Sequence, residues 1–222
     1  MRKHLVPVVI ALAVLALEAS VAFGFPAVEV YKKTSKSVML IVGMDGSDNI
    51  VGAGSLVTSE GHIVTNAHVV IDKDRRRPFR KIWVFVKPEE VTGNLERDLV
   101  NRYRAEVISF DLDLDLALIR APELPPDIAS VPLANPGEIM IGEEVVAIGH
   151  PEKGGLWTLT YGRISGQIAD QNEIPGKDVY QTDTSVNRGN SGGPLLDRRG
   201  YLVGVNTNIA RVGAGNLAIT GV

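Results

Sequence analysis

Residues 189–193 read Gly-Asn-Ser-Gly-Gly, and no histidine follows them anywhere in the chain. Glycines on both sides of Ser191 permit a sharp turn that lifts the hydroxyl off the backbone and leaves neighbouring amide N–H groups free. A plain surface turn is the commoner use of such a segment. The chemical alternative, Ser191 as a nucleophile, makes a demand on the rest of the chain. A serine hydroxyl attacks a carbonyl at neutral pH only when a base takes its proton and a further group holds that base in one tautomer. Any such histidine must precede Ser191. This excludes a fold whose order runs serine, acid, histidine, even though Gly189–Gly193 satisfies that fold's G-x-S-x-G pattern.

Four histidines are present. His4 lies in a segment of targeting type, His62 in a hairpin tip (Glu60-Gly61-His62), and His150 before Pro151 in a glycine-flanked turn. His68 sits in Thr65-Asn66-Ala67-His68-Val69-Val70, where a β-rich segment ends, and is the best placed to serve Ser191. A packed core histidine is the plainer reading of any one of them. The acid candidates converge on Asp111-Leu112-Asp113-Leu114-Asp115, which runs on into Leu116–Ile119. Strict alternation predicts a strand with leucines on one face and aspartates on the other. A calcium loop needs glycine at its sixth position and glutamate at its twelfth; here those positions are Leu116 and Pro122, so calcium is rejected. Asp115 directly precedes the apolar run and is the carboxylate carried toward the core, while Asp111 and Asp113 lie on the solvated approach. The order His68, Asp115, Ser191 is that of the two-barrel, chymotrypsin-like architecture.

Three pieces, Thr65–Val70 (TNAHVV), Asp115–Ile119 (DLALI) and Gln181–Leu196 (QTDTSVNRGNSGGPLL), resemble the trypsin-like serine proteases of the HtrA/Deg type. Gly52-Ala53-Gly54-Ser55, Gly142–Pro151 and Gly204-Val205-Asn206-Thr207 are similar as well, so the likeness runs from about Ser37 to Val222. Arg188 stands where the family usually has proline, and His150 where it often has asparagine. The resemblance implies an all-β fold of two six-stranded antiparallel barrels with the active site between them. It implies an endopeptidase that cleaves unfolded or exposed polypeptide through an acyl-enzyme, with Ser191 as nucleophile, His68 as base and Asp115 as orienting acid. The backbone N–H groups of Gly189 and Ser191 would form the oxyanion hole, in a loop that can switch between competent and collapsed states. Ser185 stands where trypsin-like enzymes carry an acid at the pocket base, so cleavage after Lys or Arg is not favoured. Asn206–Ala210 would form a pocket wall, narrowed by Ile209. A homotrimer is usual in the family, and relatives run on from the last strand into a helix and often a PDZ domain, which does not lie within these residues. The competing reading is an HtrA-like chaperone or partner-binding scaffold with weak or regulated hydrolysis.

Composition is that of a globular chain, 45% hydrophobic and 22% charged with a net charge of −3, and gives no nucleic-acid signal. No metal-ligand or phosphate-loop spacing is found and no cofactor is implied. Residues 1–24 read as a signal peptide or signal anchor: Arg2 and Lys3 precede the apolar stretch Leu5–Leu17, shorter than the ~20 residues a spanning helix needs. Uncleaved, residues 5–17 would tether the protein to a membrane. Export with no cysteine suits a bacterial envelope protein, periplasmic or extracellular, whose stability comes from core packing. Pro122, Pro125 and Pro126 mark a linker at 122–130 between a unit at 25–121 carrying His68 and Asp115 and a unit at 131–222 carrying Ser191. Short strands separated by turn residues are predicted along both units, Asp72–Lys81 reads as a basic, solvated loop, and Asn94–Val100 as one or two helical turns.

Overall fold

The structure, a computed structural model, describes residues 24–46, 48–152, 154–207 and 216–219. The apolar stretch Leu5–Leu17, His4 and the pocket-wall candidate Ile209 lie outside the described residues. Strands β1 (Val38–Asp45), β2 (Asp48–Leu56), β3 (His62–Thr65), β6 (Lys81–Phe85), β7 (Arg102–Asp111) and β8 (Leu116–Arg120) close one antiparallel barrel in the order β1-β2-β3-β8-β7-β6. Strands β9 (Glu144–Gly149), β10 (Thr158–Ile168), β11 (Val179–Thr182), β12 (Pro194–Leu196), β13 (Leu202–Thr207) and β14 (Asn216–Ile219) close a second in the order β10-β11-β14-β13-β12-β9. The expected pair of six-stranded barrels is therefore present. Closure leaves neither sheet a free edge to pair with another chain.

Where strands face each other across the two barrels, both of their sides are buried. On β1, Met39 and Ile41 point into the first core with Ile63, Ile82, Val84 and Ile119, while Val38 packs on the other side with Val146, Ile148 and Trp157. On β9, Val145 and Ala147 enter the second core, while Val146 and Ile148 turn outward to meet Val38. Such strands read as continuous apolar runs, because no face is left for water. The chain crosses between barrels over residues 121–131, pinned where Val131 N–H donates to Leu56 O at 2.8 Å.

Strand periodicity does not anticipate the short helix α1 (Ala27–Thr34), which precedes the first barrel in sequence but packs on the second. Glu29 in its first turn and Lys32 and Lys33 in its last complement the helix dipole. Val30, Tyr31 and Phe25 join Trp157, Leu196 and Leu202 in one apolar cluster. Tyr31 Oη donates to Trp157 O at 2.9 Å, and Trp157 Nε1 donates to Val38 O at 2.8 Å, so the helix, the indole and β1 form one connected unit.

Two sequence expectations are corrected. The alternating aspartates do not form one strand: β7 ends at Asp111, β8 begins at Leu116, and residues 112–115 are a tight turn. Asp111 Oδ1 accepts the N–H groups of Asp113 and Leu114 at 2.8 and 2.9 Å. Aspartate side chains compete with the ladder for backbone donors in this way, and here turn chemistry overrides the period of two. The basic segment is also more ordered than a solvated loop, forming a ribbon of β4 (Ile71–Asp72) and β5 (Arg77–Pro78). Part of its charge is paired locally, since Arg77 and Arg80 converge on Asp45 at 2.6 and 3.1 Å. The helical turns expected after Asn94 are present as α3 (Leu95–Asp98), the helix that follows α2 (Ala67–Val70).

Candidate active site

β3 ends at Thr65, and the one-turn helix α2 carries His68. The turn 112–115 lies directly against it. Asp115 O accepts from Ala67 N at 3.1 Å and from Asn66 Nδ2 at 3.0 Å. The Asp115 carboxylate takes the backbone N–H of His68 on Oδ1 at 3.0 Å, and His68 Nδ1 lies 2.8 Å from Oδ2. One carboxylate thus grips both the backbone and the ring of His68, which sets Nδ1 as the protonated nitrogen and leaves Nε2 with its lone pair. Asp115 is left-handed, with φ of 59°, a conformation that aspartate tolerates better than most residues. Burial pushes its carboxyl pKa up, but the hydrogen bonds and charge of His68, with Lys73 beyond, outweigh this and hold it below the ordinary carboxylate value.

Ser191 is buried, and its turn is stitched to the first barrel. Ser191 O accepts from Ala53 N on β2 at 2.8 Å, and a Cβ on Gly192 would meet Thr65 Oγ1 at 2.2 Å and Ala53 O at 2.3 Å. The glycine after the serine is therefore what allows this turn to sit against the end of β3, next to the helix that carries His68. Among the described residues, the Ser191 hydroxyl makes no hydrogen bond to His68; such bonds are often long in unliganded sites and tighten with substrate. Gly189, with φ of +93°, has room only for a hydrogen: a Cβ there would lie 2.0 Å from His150 O. Arg188 O accepts from Glu152 N at 2.9 Å. The structure has no cis peptide, so the Gly189 N–H points away from Glu152. Neither it nor the Ser191 N–H donates to any acceptor among the described residues.

The remaining candidates fall in different places. Ser185 is exposed, with its carbonyl accepting from Thr160 Oγ1 at 3.0 Å. Asn206 is fully buried, and its Nδ2 donates to Pro194 O at 2.8 Å, so this side chain braces the serine turn rather than facing solvent. His62 sits at the surface, with Nδ1 2.8 Å from Thr58 Oγ1. His150 is a core histidine: Nδ1 accepts from Trp157 N at 3.2 Å, the ring meets the Trp157 indole edge-on, and burial pushes its pKa down to about 3. Sequence reasoning misses two side chains at the site. Thr207 Oγ1 donates to Asp115 Oδ2 at 3.3 Å from the second barrel, and buried Asn66 holds the Asp115 backbone. Asn66 stands two residues before His68, while Thr207 gives no local signal.

A family model for the trypsin-like peptidase domain matches residues 52–205. The chain is 36% identical over 163 residues to "Protease Do-like 1, chloroplastic" of Arabidopsis thaliana, covering 71% of this chain and 33% of that protein. It is 35% identical over 175 residues to "Probable periplasmic serine endoprotease DegP-like" of Chlamydia trachomatis, covering 78% of this chain and 31% of that one. The chain therefore spans about a third of the length of these curated relatives. Among solved structures, "HtrA-type protease AlgW with tripeptide" superposes with a TM-score of 0.70 at 26% identity over 87% of this chain and 59% of its own. The structure of Deg5 does so with a TM-score of 0.68 at 30% identity over 87% of each chain.

Proposed function

The chain belongs to the trypsin-like peptidase domain family, and from that premise we propose that it is a serine endopeptidase acting on unfolded or exposed polypeptide. The observation that carries the reading is the grip of Asp115 on His68, with Nδ1 2.8 Å from Oδ2 and the backbone N–H held by the same carboxylate. With Nδ1 engaged by Asp115, Nε2 is the ring nitrogen left to act as base. His68 takes the Ser191 proton as the hydroxyl attacks the scissile carbonyl; Asp115 stabilises the imidazolium that results; His68 then returns the proton to the leaving amine. The free N–H groups of Gly189 and Ser191 receive the developing oxyanion, and each such donor is worth about 100- to 1,000-fold in turnover. Water attacks the acyl-enzyme by the same route in reverse.

Ser185, where trypsin-like enzymes carry an acid, supplies no negative charge, so cleavage after Lys or Arg is not favoured. One relative is named a periplasmic serine endoprotease, which supports an exported protein; a part in envelope protein quality control rests on the family resemblance. The trimer rests on the family resemblance alone, and the membrane tether on the apolar stretch Leu5–Leu17 of an uncleaved signal segment. The test is labelling with a fluorophosphonate probe and mass measurement of the adduct. Wild-type protein is expected to be labelled once, on Ser191, and Ser191→Ala not at all while its circular dichroism is unchanged. Labelling that persists in Ser191→Ala would sink the assignment.

A further inference from the structure

Asp115 belongs to the first barrel, yet the turn that carries it is held from the second. Leu116 packs against Val179, Leu217 and Ile219, and Thr207 reaches Asp115 Oδ2 at 3.3 Å. The third contact is a lysine: Lys177 Nζ donates to Asp113 O at 2.7 Å, inside the turn 112–115. Lys177 is only 7% exposed. Lysines are almost never this buried without a partner that demands it, and among the described residues the Asp113 carbonyl is the hydrogen-bond acceptor of its ammonium.

The loop that delivers Lys177, residues 169–178 between β10 and β11, is built at some cost. Asp170, Asn172 and Glu173 all adopt left-handed backbone, with φ of 45°, 57° and 61°, a conformation that persists only where surrounding bonds over-determine it. Those bonds converge on the lysine. Gln171 N donates to Lys177 O at 2.8 Å and Lys177 N to Ile174 O at 3.1 Å, while Gly176 N closes on Asp170 Oδ1 at 2.7 Å. The loop is thus folded on itself around Lys177 and aims its ammonium across the barrel boundary. At the receiving end, the Asp113 carbonyl lies two residues from Asp115 in a turn already pinned by Asp111. Movement of that carbonyl moves the carboxylate relative to His68.

We propose that Lys177 is a positioning residue for the Asp115–His68 pair, and that the 169–178 loop is the element by which the second barrel sets the alignment of a carboxylate borne by the first. This rests on the reading of His68, Asp115 and Ser191 as the catalytic groups. The charges that lower the Asp115 carboxyl come from His68 and Lys73, so Lys177 acts through position rather than through its field.

The experiment compares Lys177→Met, which keeps the stem and removes the donor, with Lys177→Arg, which keeps a donor and the charge. Two readouts are used: the NMR resonance of the His68 Nδ1 proton held by Asp115, and the rate of fluorophosphonate labelling. Loosening the Asp115–His68 pair is expected to weaken or abolish the downfield resonance of the Nδ1 proton shared with Asp115 Oδ2 in Lys177→Met and to slow labelling roughly tenfold or more, with Lys177→Arg recovering most of both. An unchanged Nδ1 proton resonance in folded Lys177→Met overturns the proposal, as does a Lys177→Arg variant no better than Lys177→Met. If Lys177→Met does not fold, Lys177→Gln against Lys177→Arg gives the same comparison. Labelling lost in Ser191→Ala but unchanged in Lys177→Met refutes this inference alone; labelling that persists in Ser191→Ala refutes the catalytic reading, while the Nδ1 proton resonance of His68 still decides the role of Lys177.

Discussion

Asp115→Asn keeps the shape of the side chain and removes what the site needs from it. The carboxylate accepts three donors: the His68 backbone N–H at 3.0 Å, His68 Nδ1 at 2.8 Å and the Thr207 hydroxyl at 3.3 Å. An amide offers one acceptor oxygen and one NH2 donor. If its oxygen keeps the His68 backbone N–H, the NH2 faces Nδ1; that nitrogen must then accept, and the ring proton moves to Nε2, where the base is needed. In the opposite orientation the His68 backbone N–H meets an NH2, and leaving such a donor unpaired costs about 1–3 kcal/mol. The first orientation wins, and the enzyme holds the wrong tautomer. The expected loss is about 10,000-fold in kcat, equivalent to about 5.4 kcal/mol on the barrier. The fold is retained because volume and the backbone bonds of residue 115 are unchanged. The assay is turnover of a chromogenic peptide at mildly alkaline pH, normalised to active-site titre, alongside the melting temperature. A folded variant retaining more than about a tenth of wild-type turnover would refute the claim that this carboxylate orients His68.

Other outcomes follow from the same geometry. Gly189→Ala, whose Cβ would lie 2.0 Å from His150 O, is expected to displace the Gly189 N–H and cost about 100- to 1,000-fold in kcat with little change in KM; steady-state kinetics check it, and unchanged kcat would show that this N–H plays no part. His150, folded with a pKa of about 3 against 6.5 when free, is neutral in the fold. The unfolded chain therefore binds the extra proton, and stability falls as pH drops from 6.5 toward 3, by about 1.4 kcal/mol per unit. His150→Asn removes this slope, which urea unfolding at a series of pH values would detect. Tyr31→Phe removes the bond to Trp157 O at 2.9 Å and is expected to cost about 1 kcal/mol, seen as a lowered midpoint in the same unfolding assay.

Strands were legible wherever one local rule acted alone. Residues 37–57 and 142–148 carry apolar runs bounded by turn residues, and they hold the strands Val38–Asp45, Asp48–Leu56 and Glu144–Gly149. The run from Asp111 to Ile119 obeyed the same rule and still broke at residues 112–115, because Asp111 Oδ1 captured two backbone N–H groups that a strand would have given to its neighbour. Helix α1 was illegible for a different reason. It shows the long-range apolar cluster three side chains, Ala27, Val30 and Tyr31, a single turn's worth and too short a run for a period of 3.6 to be read above the surrounding sequence. At the site, residue types and their order were legible; Thr207 was not, since its hydroxyl meets Asp115 from 92 positions away.

The sequence by itself determined that, within these residues, the histidines that could serve Ser191 lie upstream of it, that the chain would build barrels from short strands, and that glycine flanks the serine. These follow from chain order, residue chemistry and local periodicity, none of which needs coordinates. Only the tertiary structure decided that the Arg188–Gly189 peptide presents its N–H away from Glu152, that Asn206 is a buried brace, and that the turn bearing Asp115 is held by Leu116, Thr207 and Lys177 across the barrel boundary. Those features depend on the closure of two barrels against each other. Closure brings together groups far apart in the chain, and no local pattern encodes a distance between residues that meet only after both barrels have formed.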